Sequence, residues 1–195
     1  MHTLKRRLAK YSRWLHIYVS MTSFVIVFFF AVTGWTLNHA DRFGGRERLR
    51  KAAGTVDAAR SAAAEVPKTE IAGAIRRAAG IHGDVTDFRV DDDQLSITFK
   101  GPGYSADATV DRKTGKYEVT ESRLGLVAVL NDLHKGRDAG GVWKDVIDVS
   151  ALLLTFISLT GLILIYYVHK HRLAGVVLLV VGAAMAGVLY AAYVP

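Results

Sequence analysis

The chain has 195 residues, of which 51% are hydrophobic, a formal net charge of +7 and no cysteine. Without cysteine there can be no disulfides, thiolate metal sites, iron–sulfur clusters, cysteine nucleophile or covalently attached c-type haem. The basic residues cluster at the ends of apolar blocks, which points to membrane topology and anionic headgroups and away from nucleic acid.

The apolar residues are gathered into three blocks, with soluble-looking sequence between them. Residues 1–13 carry Lys5, Arg6, Arg7, Lys10 and Arg13. The first block, 14–38, exceeds the roughly 20 apolar residues that cross a bilayer core of about 30 Å. It is too long for a removed signal peptide, and no small-residue cleavage site follows it. The second block covers 146–168 and the third 173–195, with Tyr166, Tyr167, Tyr190 and Tyr193 near their ends, where interfacial anchors belong. Only His169-Lys170-His171-Arg172 separates them. The positive-inside rule puts this turn, 169–172, and the N-terminus in the cytoplasm. The C-terminus and the segment 39–145 then lie outside, in the periplasm of a Gram-negative host. The expected fold is a membrane protein, a three-span α-helical bundle embedded in lipid with one periplasmic α+β domain.

Within that domain, Arg42–Arg60 is charged and rich in Gly and Ala, and reads as a linker or surface helix. Lys68–Ala79 places Ile71, Ala74, Ile75 and Ala78 at helical spacing, and Gly80 stops the helix. Strands are expected over Val85–Val90, over Leu95–Phe99, where apolar and polar residues alternate, over Ala106–Asp111, and over Tyr117–Thr120. Asp91-Asp92-Asp93, Gly101-Pro102-Gly103 and Arg112–Lys116 are the turns between them. One helix on a small antiparallel sheet is the economical packing. The three aspartates read as a solvated turn and His82 as a surface residue. No nucleophile stands beside a base, so a hydrolase is not supported.

Five of the seven histidines fall in two layers. His16, His169 and His171 lie at the cytoplasmic boundary, and His39 and His134 at the outer one. A single histidine at a boundary is an ordinary interfacial residue. Each layer, however, draws histidines from both the first and the second span, as a two-helix bis-histidine clamp requires. At about 100° per residue, Ser20, Ser23, Gly34 and Asn38 fall within roughly 40° of His16, a small polar stripe suited to facing other helices. Asp148, Thr155, Ser158 and His169 cluster within about 80°, while His171 points about 160° away from His169. Asp148 calls for a partner such as Lys144, Arg137 or His134, or serves as the acceptor that fixes a ligating histidine's tautomer. Neither layer offers the three or four convergent ligands of a zinc site, and a flat macrocycle suits two facing imidazoles better. Along a continuous helix His16 and His39 would stand about 34 Å apart, a long step for direct electron transfer.

Arg13-Trp14-Leu15-His16, Thr33-Gly34 with Leu37-Asn38-His39, and Asn131-Asp132-Leu133-His134-Lys135-Gly136-Arg137 together resemble the PepSY-associated transmembrane family. Ile147-Asp148-Val149 and Thr160-Gly161-Leu162 continue the likeness. The Gly101-Pro102-Gly103 and Asp111–Gly115 turns resemble the PepSY domain itself. The resemblance implies a bacterial inner-membrane protein, and its larger relatives resemble ferric-siderophore reductases in which membrane histidines bind b-type haem. It implies His16, His39, His134 and His169 as axial ligands of one or two haems b, with His171 a weaker candidate and Asn38, Asp148 and Arg137 around them. It further implies an iron-chelate substrate and a cytoplasmic or quinol electron donor. This chain is shorter than those relatives, and a homodimer would restore the missing half. The competing expectation is a membrane-anchored PepSY binding or regulatory module, for peptidase inhibition or partner binding, with no redox activity. A transporter subunit is disfavoured, because no span reads as broken.

Overall fold

A computed structural model describes residues 2–43, 45, 47–167 and 171–195. The chain divides into two compact units: Phe29–Ile147, and Met1–Phe28 together with Asp148–Pro195.

Four helices carry the apolar sequence: α1 (His2–Thr22), α2 (Phe24–Asn38), α7 (Gly140–Tyr167) and α8 (Arg172–Tyr193). The last two are each long and apolar enough to cross a membrane, and α1 with α2 passes the same test as a pair bent by 58°. The uninterrupted first helix expected from the sequence is therefore corrected to a broken one. Just before the break, Ser20 Oγ donates to the His16 carbonyl at 2.5 Å and Thr22 Oγ1 to the Tyr18 carbonyl at 2.9 Å, bonding back along the helix of a kind that favours bending, although the same pattern at Thr155 and Thr160 leaves α7 unbroken. At the break, Ser23 is fully buried. Near the start of α8 a Cβ on Gly175 would fall 2.4 Å from Ile165 Cγ1, so glycine there allows close approach to α7. The Arg172 guanidinium lies 4.0 Å above the Tyr166 ring.

In Phe29–Ile147 the sheet runs in the order β1-β5-β4-β3-β2, antiparallel throughout. Its strands are β1 (Arg48–Thr55), β2 (Asp84–Val90), β3 (Gln94–Gly101), β4 (Tyr104–Asp111) and β5 (Lys116–Arg123). Helix α5 (Lys68–Ala79) ends on Gly80, in the left-handed region at φ 65°. It buries Ile71, Ala72, Ile75 and Ala79 against Leu95, Ile97, Phe99, Ala106, Ala108, Val110, Tyr117 and Val119. Burial alternates residue by residue along β3, β4 and β5, so only one face of the sheet belongs to the core. The helix and four strands expected from periodicity are all present.

The stretch read as a linker or surface helix holds β1 instead, with the short helices α3 (Ala40–Phe43) and α4 (Ala58–Ser61) on either side. Among the described residues strand β1 pairs only with β5, Arg48 opposite Arg123 through Thr55 opposite Lys116. As an edge strand it carries little apolar sequence. Arg50 fixes it by pairing with the buried Glu121 and donating to the Ala79 carbonyl at 2.8 Å. Asp93 pairs with Lys113 at 2.8 Å. The hairpin turn is closed by Asp111, whose Oδ1 accepts from the backbone N–H groups of Lys113 and Thr114.

Candidate functional site

The polar machinery gathers around α6 (Leu126–Lys135), the helix that carries the Asn131–Arg137 motif. Each polar side chain in that motif has a distinct task. Asn131 is buried, and its Oδ1 accepts from Thr36 Oγ1 at 2.9 Å. Asp132 Oδ2 accepts from the Gly103 N–H at 2.8 Å, holding the helix to the β3–β4 turn. His134 Nδ1 lies 2.6 Å from Thr33 Oγ1, and the Phe30 ring meets the imidazole edge-on at 5.1 Å between centroids. The helix closes on Gly136, at φ 66°. Trp143 Nε1 donates to the Leu133 carbonyl at 2.8 Å, and its ring stands 6.2 Å from Phe29. One helix is thereby held to the sheet, to α2 and to the start of α7.

A second arrangement of the same kind lies in the other unit. His16 Nδ1 is 3.0 Å from Thr160 Oγ1. In both places glycine follows the threonine, and the imidazole lies over it. A Cβ on Gly34 would meet His134 Cε1 at 3.4 Å, and one on Gly161 would meet His16 Cε1 at 3.3 Å. The two threonines are buried, at 2% and 5% exposure, among largely exposed neighbours on their helices. Each Thr-Gly pair is a seat for one imidazole.

The other expected site residues fall elsewhere. His39 turns back along its own helix: its Nδ1 is 3.0 Å from the Trp35 carbonyl, and its ring is 5.2 Å from the Trp35 ring. Among the described residues no hydrogen bond or ring contact joins it to His134. His171 is exposed at the start of α8, its carbonyl accepting from Gly175 N–H. His169 lies outside the described residues. Asn38, Arg137 and Asp148 are exposed. Among the described residues, no three His, Asp or Glu side chains converge as metal ligands would. The sequence picks out Thr33, Thr160 and Asn131 only within motifs, without a role at the site. The signal for the first two was the same dipeptide occurring once in each of two apolar blocks.

The sequence profile of the PepSY_TM-like family matches residues 10–195. The chain belongs to this family. No curated protein and no solved structure gives a significant match. Membership in a PepSY_TM-like family agrees with a chain that has both an antiparallel α+β domain and membrane-length apolar helices.

The domain of this PepSY_TM-like protein has a groove of its own. It has a volume of about 340 Å3 and is lined in part by His82, Pro102, Tyr104, Arg123, Leu124 and Val129. At one end Arg123 lies 5.8 Å above the Tyr104 ring, and its Nε donates to Glu121 at 2.5 Å. Tyr104 Oη accepts from the His82 N–H at 3.1 Å. Burial pushes the Tyr104 phenol up from its ordinary pKa, with Glu121 adding to the rise. Burial acts on Glu121 in the raising direction too, but Arg123 and Arg50 outweigh it and hold this carboxyl below the usual range.

Proposed function

We infer that this PepSY_TM-like protein is a b-type haem protein of the bacterial inner membrane that moves electrons outward to reduce a periplasmic ferric-siderophore or other iron chelate. The bent pair α1 and α2, α7 and α8 serve as three spans, with the N-terminus and the basic turn in the cytoplasm and the α+β domain and C-terminus in the periplasm. One observation carries the redox reading. His16, His39 and His134 each engage Nδ1 with an oxygen, and among the described residues none has a hydrogen bond at Nε2. An imidazole held by one nitrogen and free at the other could serve as an iron ligand. That donor chemistry fits haem iron. His16, His39, His134 and His169 would hold it, and bound haem would supply a one-electron carrier. The protein's part is to orient these imidazoles and to set the dielectric around them. Each electron, from a cytoplasmic or quinol donor, would convert one chelated Fe(III) to Fe(II).

The test is optical. Detergent-purified protein made under haem-replete conditions is expected to show a Soret band and a dithionite-reduced α-band, both weakened in His16→Ala and His134→Ala. A fully produced, colourless protein would reject the redox reading. The groove beside Arg123 and Tyr104 favours a second reading, a membrane-anchored binding or regulatory module whose domain holds a peptide or protein partner.

A further inference from the structure

The geometry points to Thr33 and Thr160 as positioning residues that hold His134 and His16 in the Nδ1–H tautomer, so that the lone pair on each ring stands at Nε2. This rests on the haem reading for its purpose, but not for its evidence. Thr33 Oγ1 lies 2.6 Å from the Phe29 carbonyl oxygen and 2.6 Å from His134 Nδ1. Polar contacts that close each need a hydrogen between the two heavy atoms. A carbonyl has none to give and a threonine hydroxyl has one. The threonine hydrogen is therefore committed to Phe29, one turn back along its own helix, and the hydrogen facing His134 comes from the imidazole.

At the second seat the single hydroxyl hydrogen is shared between two backbone carbonyls. Thr160 Oγ1 lies 3.0 Å from the Phe156 carbonyl and 2.9 Å from that of Ile157, with His16 Nδ1 at 3.0 Å. Both carbonyls only accept, so the hydroxyl donates to the backbone and accepts from His16. Glycine beside each threonine completes the seat, because the Cε1 edge of the ring lies where a longer side chain would stand. In His39 the Trp35 carbonyl enforces the same tautomer through the backbone. Three histidines thus present the same nitrogen, two of them by a repeated side-chain device. A threonine here does what a carboxylate or carbonyl does behind many metal-bound histidines, without bringing a charge into the apolar layer.

The experiment is nitrogen NMR on the full-length, haem-free protein, labelled with 15N-histidine, in nanodiscs at a pH where the rings are neutral. Single His→Gln variants assign the signals. Protonated Nδ1 and unprotonated Nε2 are expected for His16 and His134. Thr33→Val should shift the tautomer ratio of His134 alone by about fivefold, the weight of one hydrogen bond. Thr160→Val should do the same for His16, and Thr33→Ser and Thr160→Ser should restore the original ratio. Predominantly Nε2–H rings in the parent protein would overturn the inference, whatever its optical spectrum. Nδ1–H rings in a protein that binds no haem would uphold the seats and reject the redox reading alone.

Discussion

Among the described residues Glu121 is the most confined charge in the α+β domain, 1% exposed on β5 with the Arg50 and Arg123 guanidinium groups against it. Removing one partner of a buried, hydrogen-bonded charge costs more than the pair contributes. Glu121→Gln is expected to destabilise the domain by about 1–3 kcal/mol, measured by urea unfolding. Its sign with pH follows from the lowered carboxyl. Stability from Glu121 is fully present above its unfolded-state value of about 4.3, and is lost as pH falls through the lower folded-state value. That part of the acid limb should vanish in Glu121→Gln. The histidine seats illustrate what a sequence hides at this scale. His16 and His134 stand out because imidazoles at membrane boundaries recur in layers. Thr33 and Thr160 do not, because a threonine in an apolar helix commonly bonds to its own backbone, and these two do that as well. Their second contact lies 101 and 144 residues away, and no local pattern encodes it.

Among the elements, α6 matters most for the site, and alternation patterns give no access to it. Reading by period two ends near Thr120 and periodicity resumes only at the apolar block at 146, so the Asn131–Arg137 motif between them was legible as a resemblance and not as a helix. Strand β1 was hidden for a different reason: an edge strand needs no apolar face, and Arg48, Arg50 and Lys51 obscure it until its partner β5 is known. Helix α5 and strands β3 to β5 were legible because each buries a periodic set of side chains in one core, whereas β2 brings only a partly buried Phe88 against it. The junction between α6 and the sheet depends on Gly103, at φ 62°, where a Cβ would stand 2.6 Å from Val129 Cγ2 and 3.1 Å from Val129 N. Gly103→Ala combines a strained backbone with a steric collision, and is expected to cost about 1–3 kcal/mol. Hydrogen exchange should localise the loss, with faster exchange at the β3–β4 turn and along α6, and little change in the β1–β5 pair.

For the molecule as a whole, the natural absence of cysteine makes the proposed orientation directly measurable. Single cysteines placed at exposed positions, Asp92→Cys in the domain and His171→Cys in the basic turn, are reporters with no background. A membrane-impermeant maleimide added to intact spheroplasts is expected to label the first at once and the second only after permeabilisation. The opposite pattern would invert the topology. The clamp made by Asp132, Asn131 and His134 has a mechanical consequence. The same ten-residue helix grips the Gly103 amide with one side chain and delivers an imidazole to Thr33 with another, two positions along. Helix α6 is thus a short rigid lever with the β3–β4 hairpin on one arm and the ring on the other. A load that tilts that hairpin is expected to reach the imidazole through this helix, without passing through solvent.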